Sequence, residues 1–297
     1  MTGLLSERVA IVTGAGRGLG RAHALALARS GARVVVNDLE AAGAAQVREE
    51  IVRSGGEAID STANVQDAGA TEEMVALALR RWGRIDILVN NAGILRDRTF
   101  AKLDIADFRL VLDVHVMGSV NCTKAVWSHM RERRYGRVIF TTSSSGLYGN
   151  FGQTAYSAAK MALVGLMQTL GLEGERYGIH VNCLAPSAAT QMTHDLWSPE
   201  DLAALDPQRV SPAVVALASE AAPNRQVLLA GAGSFKLAHV TMTRGAYLPD
   251  ARLSAEEILG QWLRIGDRTG ETVPASGFEQ YRYEVEQARS RVPRNER

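Results

Sequence analysis

Residues 9–22, VAIVTGAGRGLGRA, constrain the fold more than any other stretch of the chain. An apolar, β-branched run leads into Gly14, Gly16, Gly18 and Gly20, and then into GRAHALALARSG, which has helical periodicity. Strand, glycine loop and helix in that order build an anion cradle. The glycines allow a tight turn, and amides at a helix N-terminus favour phosphate. The spacing G-x-G-x-x-G is not met, because the sixth residue from Gly14 is Leu19 and from Gly16 is Arg21. G-x-x-x-G-x-G is met on Gly14, Gly18 and Gly20, with Arg17 and Leu19 inside the loop. Glycine clusters also occur in plain turns; the flanking strand and helix favour a dinucleotide pyrophosphate.

Beyond this unit, short β-branched runs alternate with Ala- and Leu-rich segments, the pattern of repeated βαβ units around a parallel sheet. Residues 9–14, 32–38, 86–93, 136–144 and 179–186 read as strands, and 226–233 as one more. The segments between them have helical periodicity, with Gly31, Gly83 and Gly178 at expected C-caps. The spacing predicts an α/β fold with a doubly wound parallel sheet, Rossmann-like, in a single domain over residues 1–247. Residues 192–212, with Pro199, Pro207 and Pro212, break the alternation as a flap. Residues 248–297 read as a C-terminal helical extension. In it Ser254 and Glu257 make a capping-box pattern, and Phe278, Tyr281, Val285 and Ala288 share a face suited to packing on the domain or on a second subunit.

Asp38 closes the second strand about twenty residues after the loop, where a carboxylate accepts both ribose hydroxyls of NAD. Towards the 2′-phosphate of NADP it is repulsive: like unit charges about 4 Å apart, at an effective dielectric of about 20, cost roughly 4 kcal/mol before screening. Arg17 is a competing signal, since a basic loop residue attracts that phosphate. The balance favours NAD.

Residues 152–163, GQTAYSAAKMAL, place Tyr156 one helical turn ahead of Lys160. Alone, this reads as readily as a buried ring beside a surface charge. With TGAGRGLG, NNAG at 90–93 and Ser143 in the same order, the chain resembles the short-chain dehydrogenase/reductase superfamily over residues 6–245. The resemblance implies that Ser143, Tyr156 and Lys160 form the catalytic set. It implies a cofactor site made of Gly14, Arg17, Gly18, Leu19, Gly20, Asp38, Asn64, Val65, Asn90, Asn91, Ala92, Gly93, Pro186 and Thr190, with Tyr156 and Lys160 also touching the cofactor. Asn90 would support the ribose region, and Asn64-Val65 stand where an Asp-Val pair flanks the adenine. Thr190 lies in PSAATQMT, where PG is common in the superfamily.

Where the superfamily usually has an asparagine that holds a water of the proton relay, this chain has His115, in LDVHVMGSV. With GILRDRTF, GLYGNFGQTAYSAAK and GAGSFKLAHV, the chain is similar to the dehydrogenase unit of peroxisomal multifunctional enzymes, which oxidises (3R)-3-hydroxyacyl-CoA. Bacterial relatives of that branch include 17β-hydroxysteroid dehydrogenases. The resemblance implies a stand-alone NAD-dependent oxidoreductase acting on an acyl-CoA or a steroid, and a homodimer or homotetramer built through long helices. A 3-oxoacyl-carrier-protein reductase fits less well, because it ordinarily uses NADPH. A non-catalytic NAD(H) sensor has no need of the intact Ser143, Tyr156 and Lys160.

A tyrosine of pKa about 10 needs roughly 3 to 4 kcal/mol to become a base two to three units lower. One ammonium about 5 Å away, at an effective dielectric of about 20, supplies about 3 kcal/mol. On this reading Lys160 lowers the phenol, Ser143 stabilises charge on the substrate oxygen, and His115 extends the proton path towards solvent. No metal is required. Arg96, Arg98 and Lys102, just after NNAG, are placed either to meet the phosphates of CoA or to form a solvated basic face. Leu196 and Trp197 in the flap suit an acyl chain and a sterol equally.

The remaining classes are narrowed by composition. A chain of 297 residues, 46% hydrophobic and 22% charged, is ordinary for a globular protein, and a net charge of +1 argues against a generally basic nucleic-acid surface. Cys122 and Cys183 are far apart and suggest two buried thiols in a reducing compartment, not a disulfide or a zinc site. No secretory pattern is present, no stretch approaches the roughly 18 apolar residues of a membrane span, and the terminal RNER is not a peroxisomal address. The expectation is a soluble cytoplasmic enzyme of small molecules, without nucleic-acid or membrane partners.

Overall fold

The computed structural model describes residues 3–189 and 198–291; Thr190, Leu196 and Trp197 lie outside these ranges. The chain divides into two compact units, Met1–Ala238 and His239–Arg297.

In the first unit the strands are β1 (Val9–Thr13), β2 (Arg33–Asn37), β3 (Ala58–Ser61), β4 (Ile87–Asn90), β5 (Gly136–Thr141), β6 (Ile179–Ser187), β7 (Val227–Gly231) and β8 (Ser234–Ala238). They form one sheet in the order β3-β2-β1-β4-β5-β6-β7-β8. Every pairing from β3 across to β7 is parallel, and β8 returns antiparallel along β7. Helices fill the crossovers: α1 (Gly18–Arg29), α2 (Ala41–Arg53), α3 (Ala68–Trp82), α4 (Ile105–Leu112), α5 (Gly118–Arg133), α6 (Ser144–Tyr148), α7 (Thr154–Gly174), α8 (Pro199–Ala204) and α9 (Ser211–Ala218). This is the doubly wound, Rossmann-like α/β fold expected from the alternation.

The strands read as continuous apolar runs because both faces of the sheet are covered. In β1, Ala10 and Val12 belong to the core on one face, and Val9 and Ile11 to the core on the other. All four are fully buried. Two strands depart from the sequence reading. β3 (AIDS) is half-buried throughout and carries no apolar run. β8 arises because Ala232 and Gly233 both take positive φ, 50° and 77°, the geometry of a tight hairpin turn. The described part of the 192–212 flap holds α8, a 3₁₀ turn at Pro207–Arg209 and the start of α9. Between α4 and α5, Asp113–Met117 forms a π-helical turn. Cys122 and Cys183 are buried free thiols.

The second unit contains α10 (Ala255–Gly260), α11 (Trp262–Ile265) and α12 (Gly277–Arg291). Ser254 caps α10, its Oγ accepting from Glu257 N at 3.2 Å, while the Glu257 carboxylate pairs with Arg252. Phe278 and Tyr281, on the expected packing face of α12, are exposed. Among the described residues no helix is long and apolar enough to cross a membrane.

Candidate active site

Strand order reverses direction between β1 and β4, and the C-terminal ends of these strands open the crevice where doubly wound folds take ligands. The loop after β1 is held there by Asn91, whose Nδ2 donates to Thr13 O at 3.0 Å and Gly14 O at 3.1 Å. Thr13 Oγ1 in turn accepts from Asn91 N and Ala92 N. The glycines are required by space. A Cβ on Gly14, whose φ is +61°, would stand 2.8 Å from Ala92 Cα, and one on Gly20 would overlap Gly14 O. Leu19 packs on the core below. The N-terminus of α1 has no side-chain cap and no acidic residue in its first turn. Its amide donors and positive dipole end are left for an anion.

Asp38 follows β2 and accepts from Gly16 N at 2.9 Å and Glu40 N at 3.0 Å. Arg17 is exposed and pairs with Glu40 at 3.7 Å. Asn90 is buried at the end of β4, its Nδ2 donating to Thr123 Oγ1 and its Oδ1 without a partner. Val65 is buried beneath Gly118. Asn64 Oδ1 accepts from Gln66 N at 3.1 Å in a local turn. Pro186 lies near the end of β6, paired with Ala230. The cradle, the uncapped helix and the carboxylate at the end of β2 fit a dinucleotide.

The second half of the site lies at the end of β5. Ser143 is the N-cap of α6, its Oγ accepting from Ser145 N at 3.1 Å. Tyr156 and Lys160 project from the first two turns of α7. Lys160 is buried, its Nζ donating to Thr141 O at 2.6 Å and lying 5.4 Å from the centroid of the Tyr156 ring. His115 meets that ring edge-on, with centroids 5.4 Å apart. The imidazole is gripped from the other side: Nε2 lies 3.0 Å from Ile94 N and 2.8 Å from Ile94 O. Gly93 must be glycine, since a Cβ there would overlap the imidazole.

The family description "short chain dehydrogenase" matches residues 8–201. The chain belongs to the short-chain dehydrogenase family. It is therefore an oxidoreductase of a family that binds a nicotinamide cofactor. A Mycobacterium tuberculosis protein named as a short-chain type dehydrogenase/reductase is 43% identical over 92% of this chain and 98% of its own length. The full-length peroxisomal multifunctional enzyme type 2 of Drosophila melanogaster superposes with a TM-score of 0.83 at 35% identity, covering 96% of this chain. The chain spans half of that enzyme. A 7α-hydroxysteroid dehydrogenase complexed with NADH and 7-oxo glycochenodeoxycholic acid superposes at 0.73 with 29% identity, over 78% of this chain and 96% of the other.

In this short-chain dehydrogenase, burial changes the charge balance inferred from spacing. Desolvation lowers Lys160 from the usual lysine range to about 7. Tyr156 is raised, first by desolvation and also by the charge of Asp97, against an opposing hydrogen bond with Ser143. Burial thus favours the neutral amine beside the neutral phenol, and it opposes the lowering of Tyr156 expected from an ammonium one turn away. His115 is lowered to about 3 by desolvation and then by Lys160, with its bond to Ile94 opposing. A proton path that charges this imidazole is therefore unfavourable near neutrality. His115 Nε2 lies against Ile94, and its Nδ1 is buried without a partner.

Asp97 and Gln153 belong to the site without standing among the residues that its motifs single out. Gln153 Nε2 donates to Asp97 Oδ2 at 2.7 Å, and its Oε1 accepts from Ser145 Oγ at 2.8 Å. The only signal was Gln153 standing three residues before Tyr156, in GQTAY. Of the three basic residues after NNAG, Arg96 is paired with Asp107.

Proposed function

We propose that the chain is an NAD-dependent dehydrogenase that oxidises the 3-hydroxyl of an acyl-CoA to a 3-oxo group. The observation that supports this most is the arrangement of Tyr156, with Ser143 and Lys160, at the end of β5, beside a glycine cradle whose far side presents Asp38. A bound oxidised nicotinamide would supply the hydride acceptor for the carbinol carbon.

The chain's own residues supply the rest. Ser143 Oγ holds the substrate oxygen and stabilises charge developing on it. Tyr156 Oη takes the hydroxyl proton as general base. Lys160 donates a hydrogen bond to Thr141 O, and in its protonated form it stabilises the phenolate against the burial that raises Tyr156. His115 keeps Gly93 and Ile94 in place behind the ring. Asp38 occupies the ribose end, and Glu40 draws Arg17 away from a 2′-phosphate. The active form is a homodimer or homotetramer.

A hydroxysteroid is the second reading, favoured by the likeness to the 7α-hydroxysteroid dehydrogenase. Initial rates of NAD⁺ and NADP⁺ reduction with (3R)-3-hydroxyacyl-CoAs and with 17β- and 7α-hydroxysteroids test both. The expected result is turnover of the thioesters with NAD⁺; turnover of the steroids alone would replace this reading by the second.

A further inference from the structure

The segment after Gly93 is joined to the chain that leads into Tyr156. Arg98 and Gln153 form a parallel β-bridge, with Arg98 N donating to Gly152 O at 2.9 Å. Asp97, Ser145 and Asn150 all hydrogen-bond the Gln153 side chain. These contacts make one rim three residues ahead of the proposed base.

Local carboxylates account for only part of the positive charge on this rim. Asp107 takes Arg96 at 3.5 Å, Asp104 caps α4 through Ala106 N at 2.8 Å, and Asp97 is held by Gln153. Arg98 reaches only its neighbour's backbone, Asp97 O at 3.1 Å. Arg98 and Lys102 are exposed, and neither has a carboxylate partner among the described residues. Close in sequence to these contacts three aromatic side chains are exposed: Phe100, in the 3₁₀ turn after Arg98, at 73%, Tyr148, at the end of α6, at 69%, and Phe151 at 90%. Bare rings of this size forfeit a large area of apolar burial. Unpaired cations and uncovered rings on one rim suit a ligand that carries both phosphates and apolar or aromatic surface.

We propose that this rim is the subsite for the phosphate-bearing nucleotide tail of a thioester substrate, with Arg98 and Lys102 on its phosphates and Phe100 and Phe151 against its apolar arm and base. The inference rests on the acyl-CoA reading above and separates it from the steroid reading, since a hydroxysteroid has no phosphate for these cations.

The test compares a (3R)-3-hydroxyacyl-CoA with the N-acetylcysteamine thioester of the same acyl group, which keeps the reacting carbon and lacks the phosphates. In Arg98→Gln/Lys102→Gln, KM for the CoA thioester rises about tenfold more than KM for the truncated one, with the loss in KM and not in kcat. Raising KCl from 50 mM to 500 mM on the unaltered protein reproduces the same selective rise, independently of any effect on folding. Equal effects on the two thioesters, or none, would overturn the subsite while leaving the acyl-CoA reading in place. Failure to oxidise either thioester would overturn that reading, and the subsite with it.

Discussion

Lys160 directs its Nζ at the carbonyl oxygen of Thr141, 2.6 Å away, while Tyr156 lies one helical turn earlier with its ring centroid 5.4 Å from the same nitrogen. The amine is thus anchored to the sheet at the height of the phenol. Tyr156→Phe removes the proposed base and leaves the anchor intact. Turnover should fall by about 10² to 10⁴. NADH binding, followed by its fluorescence, should stay near the unaltered value. A variant that turned over normally would remove Tyr156 from the base role.

Asp97 raises Tyr156 through its charge, so its removal acts in a defined direction. In Asp97→Asn the phenol ionises at lower pH, and the acidic limb of kcat/KM for alcohol oxidation moves to lower pH. Asp97 is exposed, so high salt should shrink the shift. Movement of the limb to higher pH would contradict the sign.

His115 sets Nε2 against Ile94, accepting from Ile94 N in one tautomer or donating to Ile94 O in the other, and is lowered to about 3. An asparagine amide can likewise accept from Ile94 N or donate to Ile94 O, so His115→Asn should keep most of kcat. His115→Ala should lose roughly tenfold or more, because misplacement of a reacting group is costly. The profile of His115→Asn between pH 6 and 9 should overlie that of the unaltered enzyme. A limb lost on that substitution would show the imidazole titrating in turnover.

Asp38 accepts from Gly16 N, and in the proposed function the same carboxylate also serves the ribose hydroxyls. Asp38→Asn keeps an acceptor and removes the charge. Isothermal titration should show weaker NAD⁺ binding and stronger NADP⁺ binding, a change of about tenfold or more in their ratio. An unchanged ratio would shift the preference onto Glu40 and Arg17.

His23 is fully buried on α1, its Nδ1 2.9 Å from Ser211 Oγ and its Nε2 without a partner. Burial lowers it from 6.5 to about 3. Between those values the unfolded chain binds a proton that the fold refuses, so stability falls as pH drops below 6.5. At pH 5 the loss from this one group is about 2 kcal/mol. His23→Gln should flatten the decline of Tm between pH 6.5 and 4.5, and an unchanged slope would place the acid sensitivity elsewhere.

The parallel core is legible in the sequence because burial on both faces demands unbroken apolar runs, as in Val9–Thr13. β3 is hidden because Ala58–Ser61 is half-buried and ends in Asp60 and Ser61. Ser143, Tyr156 and Lys160 can be found by order and spacing. The Asp97–Gln153 bond cannot, since it joins loops 56 residues apart. Nor does spacing reveal how far burial lowers Lys160; that depends on the sheet and helices that close over it.

The π turn at Asp113–Met117 has a consequence for phase. A π turn accommodates one residue more than an α path, and each residue of an α-helix advances the side chains by about 100°. The turn therefore lets His115 face the Gly93 loop while Cys122, Val126 and Met130, at fourfold spacing on α5, still face the core. Loss of one residue there would rotate one set out of alignment with the other, so the length of this turn is as much a part of the site as the imidazole it carries.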